Sequence, residues 1–95
     1  MMDLDLKGKR AVVTGASLGI GEAVVKMLAE HGADVSFCAR NPEAVNTLSS
    51  FKSPKGSIKG FVADMGNKES TDSFIGSVQE DGPVDILVNN VGASP

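Results

Sequence analysis

The sequence predicts an α/β fold: a doubly wound, incomplete parallel sheet of about four strands in the order 3-2-1-4, with helices on both faces. Three observations predict it. Short apolar, β-branched runs recur along the chain, amphipathic helical patterns alternate with them, and a glycine-rich turn, "TGASLGIG", directly follows the first run. Strands alternating with helices must each return to the same end of the sheet through a crossover, which makes the pairing parallel. Right-handed crossovers then distribute the helices over both faces.

The elements follow in order. "RAVVTG", from Arg10, is a buried strand running into a turn. Ile20, Ala23, Val24, Met27 and Leu28 then recur at helical spacing and place one apolar stripe on a first helix, which Gly32 ends. His31, in its last turn, is read as serving the helix dipole or solvent rather than as a base. "ADVSFCA" is the second strand. Asn41-Pro42-Glu43 opens a second helix with a cap, a proline at the first helical position and an acid in the first turn, and Ala44, Val45 and Leu48 form its inner face. After the turn "SPKGS", Ile58, Phe61 and Val62 mark a third strand leading to Asp64, with Gly60 as a bulge. "GNKES" has the composition of a cap before Thr71, Phe74, Ile75 and Val78, a third helix stopped by Gly82-Pro83. "VDILVNN" is the fourth strand, almost continuously apolar as parallel strands are, with its outer edge and apolar surface expected to lack the strands and helices that would cover them.

Ninety-five residues, 41% hydrophobic and 22% charged, fit one folded domain rather than a disordered tail. The formal net charge of -3 gives no long-range attraction to nucleic acid or an anionic membrane, so any bound anion must be held locally. Cys38 is the only cysteine, which excludes an internal disulfide and a CxxC metal site and fits a reducing compartment. "MMDLDLKGKR" has no signal-peptide pattern, and no apolar stretch approaches the roughly 18 residues of a membrane span. The expectation is a cytoplasmic protein with no membrane or nucleic-acid partner and no metal.

"TGASLGIG" lies at the carboxyl end of the first strand, where helix N-terminal amides point outward and an open α/β sheet has its switch point. Gly15 permits the tight exit from the strand, Gly19 removes a Cβ from the path of a pyrophosphate, and Gly21 lets the helix approach the sheet. The spacing is GxxxGxG rather than GxGxxG, but strand before and helix after supply the context a dinucleotide fingerprint requires. Without GK[ST] the turn is not a P-loop. At the end of the second strand, where an acid would bind the ribose 2'-hydroxyl of NAD, the chain has Ala39 and Arg40. A guanidinium there suits a 2'-phosphate, which favours NADP(H) and leaves NAD(H) as the alternative; Arg40 as a solvated loop arginine is the competing reading.

These residues resemble the short-chain dehydrogenase/reductase family. "TGASLGIG" looks like its TGxxxGxG motif, Asp64 like its adenine-contacting aspartate, and "NNVG", Asn89 to Gly92, like its NNAG motif. The resemblance covers about Lys7 to Pro95 and implies a Rossmann-type cofactor half-domain over residues 1–95, truncated before the catalytic segment. It also implies that Gly15, Ser17, Gly19, Ile20 and Gly21 line the phosphates, Arg40 binds the 2'-phosphate, and Asp64 and Met65 hold adenine. Asn90, Val91 and Gly92 pass the ribose and nicotinamide side, with Asn89 buttressing the central strands. For the asparagines and Asp64, satisfying the polar strand ends is the alternative role. Val91 departs from the family's alanine, and Leu18 stands where many NADP-using members have a second basic residue.

The resemblance further implies an oxidoreductase interconverting an alcohol and a carbonyl by hydride transfer, assembled as a homo-oligomer when complete. In that family a tyrosine of a YxxxK motif supplies the proton. The 95 residues contain no tyrosine, so no catalytic residue is assigned within them. A non-catalytic NADP(H)-binding module or fragment is the alternative function.

Overall fold

In a computed structural model, residues 5–15, 19–53 and 55–89 are described. Seven elements occur in the expected order: β1 (Arg10–Thr14), α1 (Ile20–Glu30), β2 (Asp34–Ala39), α2 (Pro42–Ser49), β3 (Ser57–Val62), α3 (Lys68–Glu80) and β4 (Ile86–Asn89). All three strand pairings are parallel and the sheet order is β3-β2-β1-β4, a Rossmann-like open sheet.

The alternation of side chains along each strand divides the core in two. Ala11, Val13, Val35, Phe37 and Ala39 face α1 and α2, meeting Val25, Leu28, Ala29, Val45 and Leu48. Val12 and Cys38 face the other way and pack with Ala63, Phe74 and Val78 under α3. Phe61 meets Phe74 edge-on with ring centroids 5.4 Å apart on this side.

The inner face of α1 differs from the predicted stripe. Gly21, Val25, Leu28 and Ala29 are buried, whereas Ile20 is 75% exposed and Met27 41% exposed. Ala23 is also exposed and Val24 half-buried. The stripe is therefore rotated by about one residue: the helix approaches the sheet through small side chains, Gly21 and Ala29, and turns its bulkier row aside.

Gly60 is not a bulge. The β2–β3 register runs unbroken from Asp34 opposite Ser57 to Ala39 opposite Val62. A Cβ at Gly60 would lie 2.7 Å from Phe37 Cζ and 2.8 Å from Val45 Cγ1, and would collide with Ser49 Oγ. Glycine is needed there so that α2 can lie close against β3. Gly60→Ala is expected to destabilise the fold by about 1–3 kcal/mol through overpacking, read as a lowered urea midpoint; an unchanged midpoint would contradict this packing.

The helix ends match their sequence signals. Asn41 Oδ1 accepts from the Glu43 and Ala44 amides at 2.8 and 3.3 Å, Asn67 Oδ1 accepts from the Ser70 amide at 2.9 Å, and Gly32 follows α1 with a φ of 105°. At the amino-terminal edge of the sheet, the half-buried Arg10 guanidinium donates to Gly82 O at 2.6 Å and to Val78 O at 3.3 Å, tying the end of α3 to β1. Asp85 Oδ2 accepts from the Arg10 amide at 2.9 Å and brings β4 into the same junction.

β4 takes the edge position and the partly uncovered face that the sequence predicts. Its residues alternate between half-buried and exposed, with Leu87 66% exposed. Its apolar run does not lie covered on both faces, because α3 packs over Val12 and Cys38 rather than over Leu87.

Candidate nucleotide site

Parallel pairing brings the carboxyl ends of all four strands to one edge. Thr14 is level with Cys38 on one side and with Asn89 on the other, and Cys38 is level with Phe61. The segments leaving these strands carry Gly15, Arg40 and Asp64, so residues far apart in sequence share one edge of the sheet.

Gly15 leaves β1 with a φ of 68°. Gly19 is the N-cap of α1 at φ 62° and ψ -128°, a conformation that only glycine adopts readily, and no side-chain hydrogen bond caps the helix there. The other two helices are capped by asparagine side chains. Among the described residues no side chain accepts from the first amides of α1, which lie at the positive end of its dipole. A Cβ built on Gly19 would meet nothing within 4 Å among the described residues. Backbone conformation, not internal crowding, selects this glycine, and open space lies in front of it. Ile20 is exposed beside that space, and Gly21 is buried.

Arg40 follows β2 directly. It is exposed and forms no ion pair among the described residues. Asp64 lies two residues beyond β3, exposed, with Oδ1 accepting from the Gly66 amide at 2.9 Å. The Met65 side chain packs against the α3-side core, and its carbonyl accepts from Thr71 Oγ1 at 3.3 Å. Thr14 Oγ1 donates to Asn89 Oδ1 at 2.9 Å, joining the ends of β1 and β4. Ser17, Asn90, Val91 and Gly92 lie outside the described residues, as does Leu18.

His31 is half-buried as the C-cap of α1, at the opposite end of that helix from Gly19. Eleven residues of helix separate them, roughly 16 Å at 1.5 Å per residue. Two residues that read in the sequence only as helix positions belong to the site edge: Ser70 Oγ accepts from the Asp64 amide at 2.8 Å, and Thr71 Oγ1 donates to the Met65 carbonyl. "GNKES" signals a helix start, but a hydroxyl reaching back six residues leaves no periodic trace.

Cys38 is buried beneath the turn. Burial pushes its thiol up from the ordinary value, and a backbone hydrogen bond from Gly15 acts in the opposite direction. The unfolded chain therefore releases this proton at lower pH than the folded one. The stability linked to Cys38 is whole below the unfolded thiol pKa of about 8.5 and declines as pH rises above it. Between about pH 8 and 10, the melting temperature should fall more steeply for the wild type than for Cys38→Ala; parallel curves would contradict the assigned shift.

Among the described residues, no helix is long and apolar enough to cross a membrane. The family model for short chain dehydrogenase matches residues 9–95, and the chain belongs to that family. It is 40% identical over 91 residues to the uncharacterized oxidoreductase YvrD of Bacillus subtilis, a match covering 96% of this chain and 35% of YvrD. The structure of L-sorbose reductase from Gluconobacter frateurii, complexed with NADPH and L-sorbose, superposes with a TM-score of 0.86 at 35% identity, covering 96% of this chain and 36% of that one. A 3-ketoacyl-(acyl-carrier-protein) reductase from Brucella melitensis complexed with NADH gives 0.77 at 28% identity, covering 87% and 34%. The chain spans about a third of the length of the curated relatives it matches.

Proposed function

We propose that this chain is the cofactor-holding part, over residues 1–95, of an NADP(H)-dependent oxidoreductase that interconverts an alcohol and a carbonyl in the cytoplasm. The observation that carries the reading is the turn at Gly19: a left-handed glycine with, among the described residues, open space before it and no side-chain cap on the helix start. That combination fits a pyrophosphate, whose oxygens would accept from the first amides of α1 in place of a capping side chain. Bound NADP(H) supplies the hydride chemistry.

The remaining roles belong to the chain's own residues, Ile20 through its backbone. Gly15, Ser17, Gly19, Ile20 and Gly21 line the phosphates, and Arg40 pairs with the 2'-phosphate through charge-assisted hydrogen bonds. Asp64 and Met65 take the adenine, while Asn90, Val91 and Gly92 flank the ribose and nicotinamide. Reductases complexed with NADPH and with NADH both resemble the chain, so the preference rests on Ala39 and Arg40. Hydride transfer also needs a positioned proton source, and the family's tyrosine is not among these 95 residues. The alternative reading is a non-catalytic NADP(H)-binding module.

Calorimetric titration of the protein with NADPH and NADH tests the proposal. Binding of both, with NADPH the tighter, is expected. Absence of binding to either would remove it.

A further inference from the structure

Asp64 is an exposed carboxylate on a loop, yet the backbone on both sides of it is tied to the first turn of α3. Its amide donates to Ser70 Oγ at 2.8 Å, and its carbonyl accepts from the Asn67 amide at 3.0 Å. The next carbonyl, that of Met65, accepts from Thr71 Oγ1 at 3.3 Å, a hydroxyl also 2.9 Å from Asn67 O. Ser70 is itself fixed, because its amide donates to Asn67 Oδ1 at 2.9 Å. Within the carboxylate, Oδ1 accepts from the Gly66 amide, and Asp64 forms no ion pair among the described residues. Oδ2 is thereby presented as an acceptor on a carboxylate that cannot swivel freely.

We infer that Ser70 and Thr71 are positioning residues for adenine selectivity: they hold the Asp64–Met65 loop so that the second carboxylate oxygen meets an exocyclic amino group. This rests on the reading of Asp64 as the adenine contact. A solvated, mobile carboxylate would lose side-chain and loop entropy on meeting the base; one that accepts from the Gly66 amide, on a loop whose backbone is held by three further hydrogen bonds, loses less. The discrimination is chemical. Adenine offers an amino donor at C6, whereas hypoxanthine has a carbonyl oxygen there, which leaves a carboxylate facing an acceptor.

The test compares NADPH with reduced nicotinamide hypoxanthine dinucleotide phosphate by calorimetry on the wild type, Ser70→Ala, Ser70→Thr and Thr71→Val. The wild type should prefer NADPH. Ser70→Ala should weaken NADPH by about three- to tenfold, the worth of one hydrogen bond, and leave the hypoxanthine ligand unchanged. Ser70→Thr, which keeps the hydroxyl, should restore the preference, and Thr71→Val should reduce it. A loss shared equally by both ligands, as general unfolding would give, or an unchanged NADPH affinity in Ser70→Ala overturns the inference while leaving the Asp64 reading intact. A wild type that binds both ligands equally overturns the Asp64 reading and this inference with it.

Discussion

Gly19→Val is expected to abolish measurable dinucleotide binding, reducing affinity for NADPH and NADH alike by on the order of a hundredfold or more. Two effects combine. Gly19 has a φ of 62° with ψ at -128°, so a β-branched residue there either bears strain of about 1–3 kcal/mol or pulls the turn out of shape. Its methyl groups would also project into the space before the first amides of α1. Losing two charge-assisted hydrogen bonds at about 1.5–3 kcal/mol each accounts for the predicted fall. Because a Cβ at this position meets nothing within 4 Å among the described residues, the fold should persist with a similar far-UV dichroism spectrum. Retained affinity in a folded variant would refute the cradle.

The second large effect belongs to Arg40. Arg40→Ala should weaken NADPH by roughly ten- to hundredfold, the cost of about 1.5–3 kcal/mol for a lost bond to a charged group, and leave NADH nearly unchanged. The two variants separate the two parts of the site: one removes binding of both dinucleotides, the other removes the difference between them. Arg40 is exposed and forms no ion pair among the described residues, so its removal breaks no salt bridge among them. Equal wild-type affinities for NADPH and NADH would show that Arg40 plays no part in 2'-phosphate recognition.

The layout of the fold was legible because its signals are local. Strand, glycine turn and amphipathic helix each occupy a few consecutive residues, and their alternation fixes parallel pairing. Asn41 and Asn67 announce two helix starts for the same reason. The misread features depend on tertiary contact. The stripe of α1 was misplaced because hydrophobic weight points to Ile20 and Met27, while close approach to the sheet selects Gly21 and Ala29. Gly60 looks like a bulge in a strand pattern, yet its reason lies in Ser49, Phe37 and Val45, residues from two other elements.

At the site, the glycines, Arg40 and Asp64 were legible as residues at the ends of predicted strands. The groups that hold Asp64 in place were not. Ser70 and Thr71 are ordinary helix-start residues by composition, and only the three-dimensional path of the β3–α3 loop brings their hydroxyls to the Asp64 amide and the Met65 carbonyl.

The most direct measurement is an amide-resolved NMR titration of the protein with NADPH. Shift changes should concentrate at Gly15, Gly19, Ile20, Gly21, Arg40 and Asp64 through Gly66, with little change at His31, Asp81 or Gly82 at the opposite edge of the sheet. Changes centred on that opposite edge, or none at saturating NADPH, would contradict a dinucleotide site at the carboxyl ends of the strands.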